Sequence, residues 1–228
     1  MSFKLALLSV SVIVAAGTAA GGAFVFTSGA VMGPDNNVSA EADFTVSTNT
    51  MTIVLKNLTS DIKFTTDELT GFKFTSAGLS TTLTSVSDPN GTIDCSTGTC
   101  VSGTPSDPEP YGWEVSGTGT NDLEAQGLHP YAIVNGANMD TSQCGGGDNG
   151  NICNAQHNPF LNGPVTFTLG FTGSAPTSFS GIEFMFGTGP FLADGNLSPA
   201  PEPRYYGLVL LGALGASLLA RRRTATQI

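Results

Sequence analysis

The residues of this 228-residue chain with chemistry in reach are four cysteines, two histidines, a few neighbouring carboxylates and a small set of aromatic side chains. Cys95 and Cys100 enclose Ser-Thr-Gly-Thr, while Cys144 and Cys153 enclose a glycine-rich stretch. Four cysteines allow three pairings. In an exported chain the simplest is two local bridges, each closing a short loop and adding at most about 2–3 kcal/mol. A structural zinc site needs Cys-x-x-Cys-like spacing, which is absent, so no metal is expected on them. His129 stands beside Pro130 and His157 lies in an asparagine-rich loop, with no Gly-x-Ser-x-Gly motif near either. Asp67-Glu68, and Asp107 with Glu109, are carboxylate pairs of the kind that glycoside hydrolysis uses. In so acidic a chain, adjacent carboxylates are ordinarily solvated surface. Asp140, Asp148, Asn149 and Asn151 put oxygen ligands into one loop without EF-hand spacing, which leaves calcium binding and a plain loop both open. Tyr111, Trp113 and Tyr131 are the candidates for a glycan-stacking platform, or else core aromatics. No catalytic residue and no cofactor is assigned.

The elements that must position these residues are strands. Glycine, serine, threonine, asparagine and proline are abundant and charged residues few, a composition suited to a β-rich secreted domain. Strict alternation of apolar and polar side chains marks residues 51–55, 72–74, 165–171 and 182–186. In the last of these Ile182, Phe184 and Phe186 share the expected buried face. Residues 41–46 and the run from Met51, joined by Ser47-Thr48-Asn49-Thr50, read as a β-hairpin. Residues 113–115 and 131–134 are shorter strand candidates, and Thr66 is placed to cap a short helical turn. Two loop-like insertions, 88–110 and 135–159, hold the cysteines. With no amphipathic helix between residues 24 and 200, the expected fold is an all-β antiparallel sandwich of two sheets, jelly roll included among its forms.

Charge narrows the partners. Residues 24–200 carry Lys56, Lys63 and Lys73, no arginine and seventeen acidic residues, a net charge near −14. Such a surface excludes nucleic-acid binding and keeps the domain soluble.

The two ends carry the clearest instructions. Lys4 precedes an apolar stretch over 5–16 and small residues over 17–21, the layout of a secretory signal peptide cleaved between Ala20 and Phe24. At the other end Pro201-Glu202-Pro203 precedes an uncharged apolar run over 205–220, then Arg221, Arg222 and Arg223. As a helix that run is about 24 Å long, able to cross a membrane with tyrosines at one interface and arginines snorkelling at the other. The arginines stay cytoplasmic under the positive-inside rule, which puts the domain outside. The prolines hold residues 199–203 extended, as a protease site requires.

Motif, apolar helix and arginine cluster in that order resemble the PEP-CTERM sorting signal of bacterial envelope and extracellular proteins. The resemblance covers about residues 198–223. It implies that an exosortase in the membrane recognises Pro201, Glu202 and Pro203 and cuts near them. The ectodomain then passes to the cell surface or the matrix of an exopolysaccharide-producing bacterium. Arg204 stands where the family commonly carries a small or hydroxyl residue, which leaves the cut position open. The expected organisation is a signal peptide over 1–23, a β-sandwich over 24–197 and a sorting signal over 198–228. The expected function is that of a non-catalytic surface or matrix protein, with polysaccharide a further partner. A carbohydrate-binding module and, behind it, a glycan hydrolase are the alternatives.

Overall fold

The computed structural model describes residues 23–32, 37–76, 79–105, 109–116, 120–125, 131–144, 150–187 and 191–198. Apart from Ala23 and Ser198, the expected signal peptide and sorting signal lie outside the described residues, and so do His129, Asp107, Asp148 and Asn149. In chain order the strands begin with β1 (Ala23–Thr27), β2 (Val31–Met32), β3 (Asn37–Val38), β4 (Ala40–Val46), β5 (Thr50–Asn57) and β6 (Leu69–Thr75). Next come β7 (Ser80–Ser87), β8 (Thr92–Asp94), β9 (Val101–Gly103), β10 (Trp113–Ser116), β11 (Thr120–Ala125) and β12 (Ile133–Val134). The last are β13 (Phe160–Asn162), β14 (Val165–Thr172), β15 (Ser180–Phe186), β16 (Phe191–Asp194) and β17 (Asn196–Ser198). Only short 3₁₀ turns interrupt them, and no helix among the described residues is long and apolar enough to cross a membrane.

Period-two alternation does what strand geometry requires: one face of each strand goes inward. On β4 the buried set is Ala40, Ala42, Phe44 and Val46, and on β5 it is Met51, Ile53 and Leu55. On β14 it is Val165, Phe167, Leu169 and Phe171, and on β15 Ile182, Phe184 and Phe186. The expected hairpin is β4–β5, with Val46 opposite Met51 and its turn closed by the Ser47 N–H donating to the Thr50 carbonyl at 2.8 Å.

Six strands form one antiparallel sheet in the order β17-β1-β4-β5-β14-β7. Nine form a second sheet running β10-β11-β6-β12-β13-β8-β9, with β15 also paired to β6 and β16 to β15. It is antiparallel except between β12 and β13. The inner faces meet in one core, giving a sandwich-like arrangement. Phe44 of the first sheet lies 5.6 Å and 5.5 Å from Phe72 and Phe74 of the second, and Phe167 lies 4.8 Å from Trp113. A smaller cluster of Ile62, Ala132, Val134, Ile152 and Phe160 packs beneath the second insertion.

The insertions hold more order than their composition suggests. The first contains β8 and β9, the second 3₁₀ turns at Gly136–Asn138 and Thr141–Gln143. The short turn expected near Thr66 is a 3₁₀ turn over Thr65–Asp67. Its cap is Asp67 rather than Thr66: the Oδ2 atom accepts the N–H groups of Lys63 and Phe64 at 3.0 and 3.1 Å. A carboxylate with two acceptor sites reaches back to both donors, which a hydroxyl does less well.

Candidate functional site

Both disulfides form locally, Cys95 with Cys100 and Cys144 with Cys153. The first staples the β8–β9 hairpin and the second the 140–154 loop, where Cys144 and Cys153 pack against the smaller core. Beside the first staple, a groove of about 360 Å³ is bordered by Asp94, the hydroxyls of Thr92, Thr97 and Ser102, and Val101, which is 59% exposed. Among the described residues its wall has no aromatic ring for a sugar to stack on.

Tyr111, Trp113 and Tyr131 are brought together, but as structure. Trp113 is fully buried and its indole N–H donates to the Tyr131 carbonyl at 3.0 Å. Tyr131 is itself buried, and its ring lies 5.7 Å from that of Tyr111, which is only partly buried. Trp113 and Tyr131 therefore offer no face to a glycan. Both tyrosines have left-handed backbones, with φ of 54° and 67°, a conformation that costs non-glycine residues energy and is held here by the packing around the pair.

The hydrolase reading fares no better at Asp67 and Glu68, both of which are completely buried. Glu68 instead meets His157, 89 residues away, with Oε2 3.3 Å from Nδ1. Burial, with the Asp67 charge adding to it, raises the Glu68 carboxyl well above its ordinary value. Burial also lowers the His157 imidazole. Both shifts favour a neutral pair in which the carboxyl O–H donates to Nδ1. The other oxygen, Oε1, has no hydrogen-bond partner among the described residues, a cost that is smaller for a neutral carbonyl oxygen than for a carboxylate. One signal of this burial was present in the sequence: Glu68 falls in the same alternation as Thr70, Phe72 and Phe74. Nothing local pointed to His157.

Of the loop residues considered for calcium, Asp140 and Asn151 are among the described residues, and both are tied to the chain. Asp140 accepts the Ser142 N–H at 2.8 Å, which holds its carboxyl below the usual range, and it pairs with Lys63. Asn151 gives its amide to the Gln143 carbonyl and accepts from the Cys153 N–H. No group of three His, Cys, Asp or Glu side chains among the described residues is arranged to hold a metal ion.

The lysines follow a pattern that the sequence did not show. Each of the three among the described residues stands between two carboxylates: Lys56 between Glu41 and Asp43, Lys63 between Asp61 and Asp140, Lys73 between Asp122 and Glu183. Lys56 and Lys73 bridge neighbouring strands, where unrelieved carboxylates would repel. Comparison with protein-family models, curated proteins and solved structures finds no match to this chain. On the outer face of the nine-stranded sheet, Glu114 stands opposite Glu124 and Glu183 opposite Asp194.

Proposed function

We propose that this chain is an exported, non-catalytic surface or matrix protein of a bacterial envelope, delivered by its C-terminal signal and cut there by an exosortase. The observation that best supports the reading is the closure of the fold on its own two ends. β1 and β17 pair antiparallel, Val25 opposite Ser198 and Thr27 opposite Asn196. The first strand therefore begins, and the last one ends, at the same end of the sheet. Ala23 is the last residue of the expected signal peptide, and Ser198 precedes Pro199, Pro201, Glu202 and Pro203. A domain bounded this closely keeps all of its described strand pairs when the residues before Ala23 and after Ser198 are removed. Two local disulfides suit an oxidising, extracytoplasmic compartment. The binding chemistry is that of an acidic surface whose lysines are already paired, which favours a scaffold role over capture of an anionic polymer.

The test is fractionation of the native host expressing wild type or Glu202→Ala. Wild type is expected in the medium or outer surface in a shortened form, and the variant in the cytoplasmic membrane with its C-terminus intact. Equal release of both would remove the exosortase from the account.

A further inference from the structure

We propose that Asn90 is a self-modifying residue, at which the Gly91 backbone nitrogen displaces the side-chain amide and converts Asn90 to aspartate or isoaspartate without an enzyme. Asparagine followed by glycine is the pair in which this ring closure is least hindered, because glycine has no Cβ to crowd the approach. Asn90-Gly91, Asn135-Gly136 and Asn162-Gly163 are the three such pairs among the described residues, and a fourth begins at Asn149, outside them. The fold treats the three differently.

The attacking nitrogen must give up its own hydrogen bond and turn toward the Cγ of the residue before it. Gly163 donates its N–H to the Val134 carbonyl at 2.9 Å, extending the pairing of β12 with β13. Gly136 donates to Asn162 Oδ1 at 3.0 Å, which ties up that nitrogen and the Asn162 side chain together. Asn135 holds its Oδ1 against the Ala137 N–H at 3.2 Å, and both Asn135 and Asn162 are half-buried. Asn90 differs on each count. It is exposed in the turn over 88–91, and the Gly91 N–H reaches the Asp88 carbonyl at 3.3 Å, the longest of the three bonds. Among the described residues its side chain is held by one hydrogen bond, from Nδ2 to the Gly163 carbonyl at 3.1 Å, on the atom that leaves. Gly91 itself is fixed by the fold: its φ is 74°, and a Cβ there would collide with the Gly103 carbonyl.

The step balances with water as its sole co-reactant. The Gly91 nitrogen bonds to Asn90 Cγ, the Cγ–Nδ2 bond breaks, and ammonia leaves with the Gly91 proton; water then opens the five-membered imide at either carbonyl. Both products put a carboxylate where Nδ2 donated to the Gly163 carbonyl, beside Asp88, whose Oδ1 accepts the Asn90 N–H at 3.1 Å. Isoaspartate also adds one carbon to the main chain, inside the turn that carries it from β7 in one sheet to β8 in the other. There the Asn162 N–H donates to the Gly91 carbonyl at 2.9 Å and to Asp88 Oδ2 at 3.1 Å, contacts that tie the crossover to β13. The modification therefore ages the domain at the crossover between its sheets, whichever route delivers the protein.

Peptide mapping by mass spectrometry of the full chain, folded in detergent and sampled over days at mildly alkaline pH, provides the test. The expected result is exchange of amide for acid at Asn90 several-fold ahead of Asn135 and Asn162, with isoaspartate among the products. In denaturant, where the three pairs lose the hydrogen bonds that distinguish them, their rates are expected to converge. Asn90→Gln, whose extra methylene slows the ring closure, is expected to stay unmodified over the same interval and to keep its melting temperature, while that of wild type falls as isoaspartate accumulates. Conversion at Asn90 no faster than at the other two in the folded chain, an equal lead in denaturant, or isoaspartate that accumulates without a fall in melting temperature would overturn the proposal.

Discussion

Glu68 and His157 make a neutral pair inside the protein, and that neutrality sets a pH profile. The carboxyl, raised above its ordinary 4.5, holds a proton in the folded chain that the unfolded chain releases above that pH. The imidazole, lowered below 6.5, lacks in the folded chain a proton that the unfolded chain binds below that pH. Between 4.5 and 6.5 the two effects oppose one another; above 6.5, where the imidazole is neutral in both states, the raised carboxyl alone remains and stability falls as pH rises, until Glu68 itself titrates. Below 4.5 the unfolded state binds more, and stability falls as pH drops. Glu68→Gln keeps an N–H donor for Nδ1 without a titrating proton. Thermal unfolding is therefore expected to show the variant close to wild type near pH 5.5 and more stable than wild type at pH 8. A variant that loses stability equally at both values would mean the carboxylate is charged in the fold. Little of this was legible in the sequence, because Asp67-Glu68 has the look of solvated surface and the partner is 89 positions away. Trp113 was legible as important but not in its role, since burial of a lone tryptophan depends on which strand faces it.

At the scale of elements, alternation told most where hydrophobic contrast was sharp. β4, β5, β14 and β15 show it, and they stand as expected. β7 does not: six of its eight residues carry hydroxyls, and its two apolar residues, Leu83 and Val86, are three positions apart, out of step in the sequence until the register shift sets them opposite Leu169 and Phe167. β11 was hidden by Asp122 and Glu124, which alternate with buried Asn121, Leu123 and Ala125. The acidic residues of such strands are tolerated because a lysine on the next strand answers them. Lys73→Met keeps the aliphatic stem of Lys73 and removes that answer, leaving Asp122 and Glu183 on either side of β6. Chemical denaturation is expected to show a loss of about 1 kcal/mol at low salt, shrinking at high salt as the repulsion is screened. A loss that salt does not reduce would assign the effect to packing of the stem. The local disulfides were legible from spacing alone, since short loops between cysteines leave the chain little choice of partner.

For the whole molecule, the proposed function is that an acidic sandwich-like domain, whose first and last described strands pair with each other, is exported and released through its flanks. The pairing of β1 with β17 limits where processing can fall without unravelling the six-stranded sheet. A cut inside either strand would remove ladder hydrogen bonds and free an edge next to β4. The most direct measurement is the intact mass of the protein recovered from the culture medium of its native host, with both terminal residues identified by sequencing. The account predicts an N-terminus between Gly21 and Phe24 and a C-terminus at or beyond Ser198 that lacks the segment over 205–228. A released protein that still carries Arg221, Arg222 and Arg223 would contradict it.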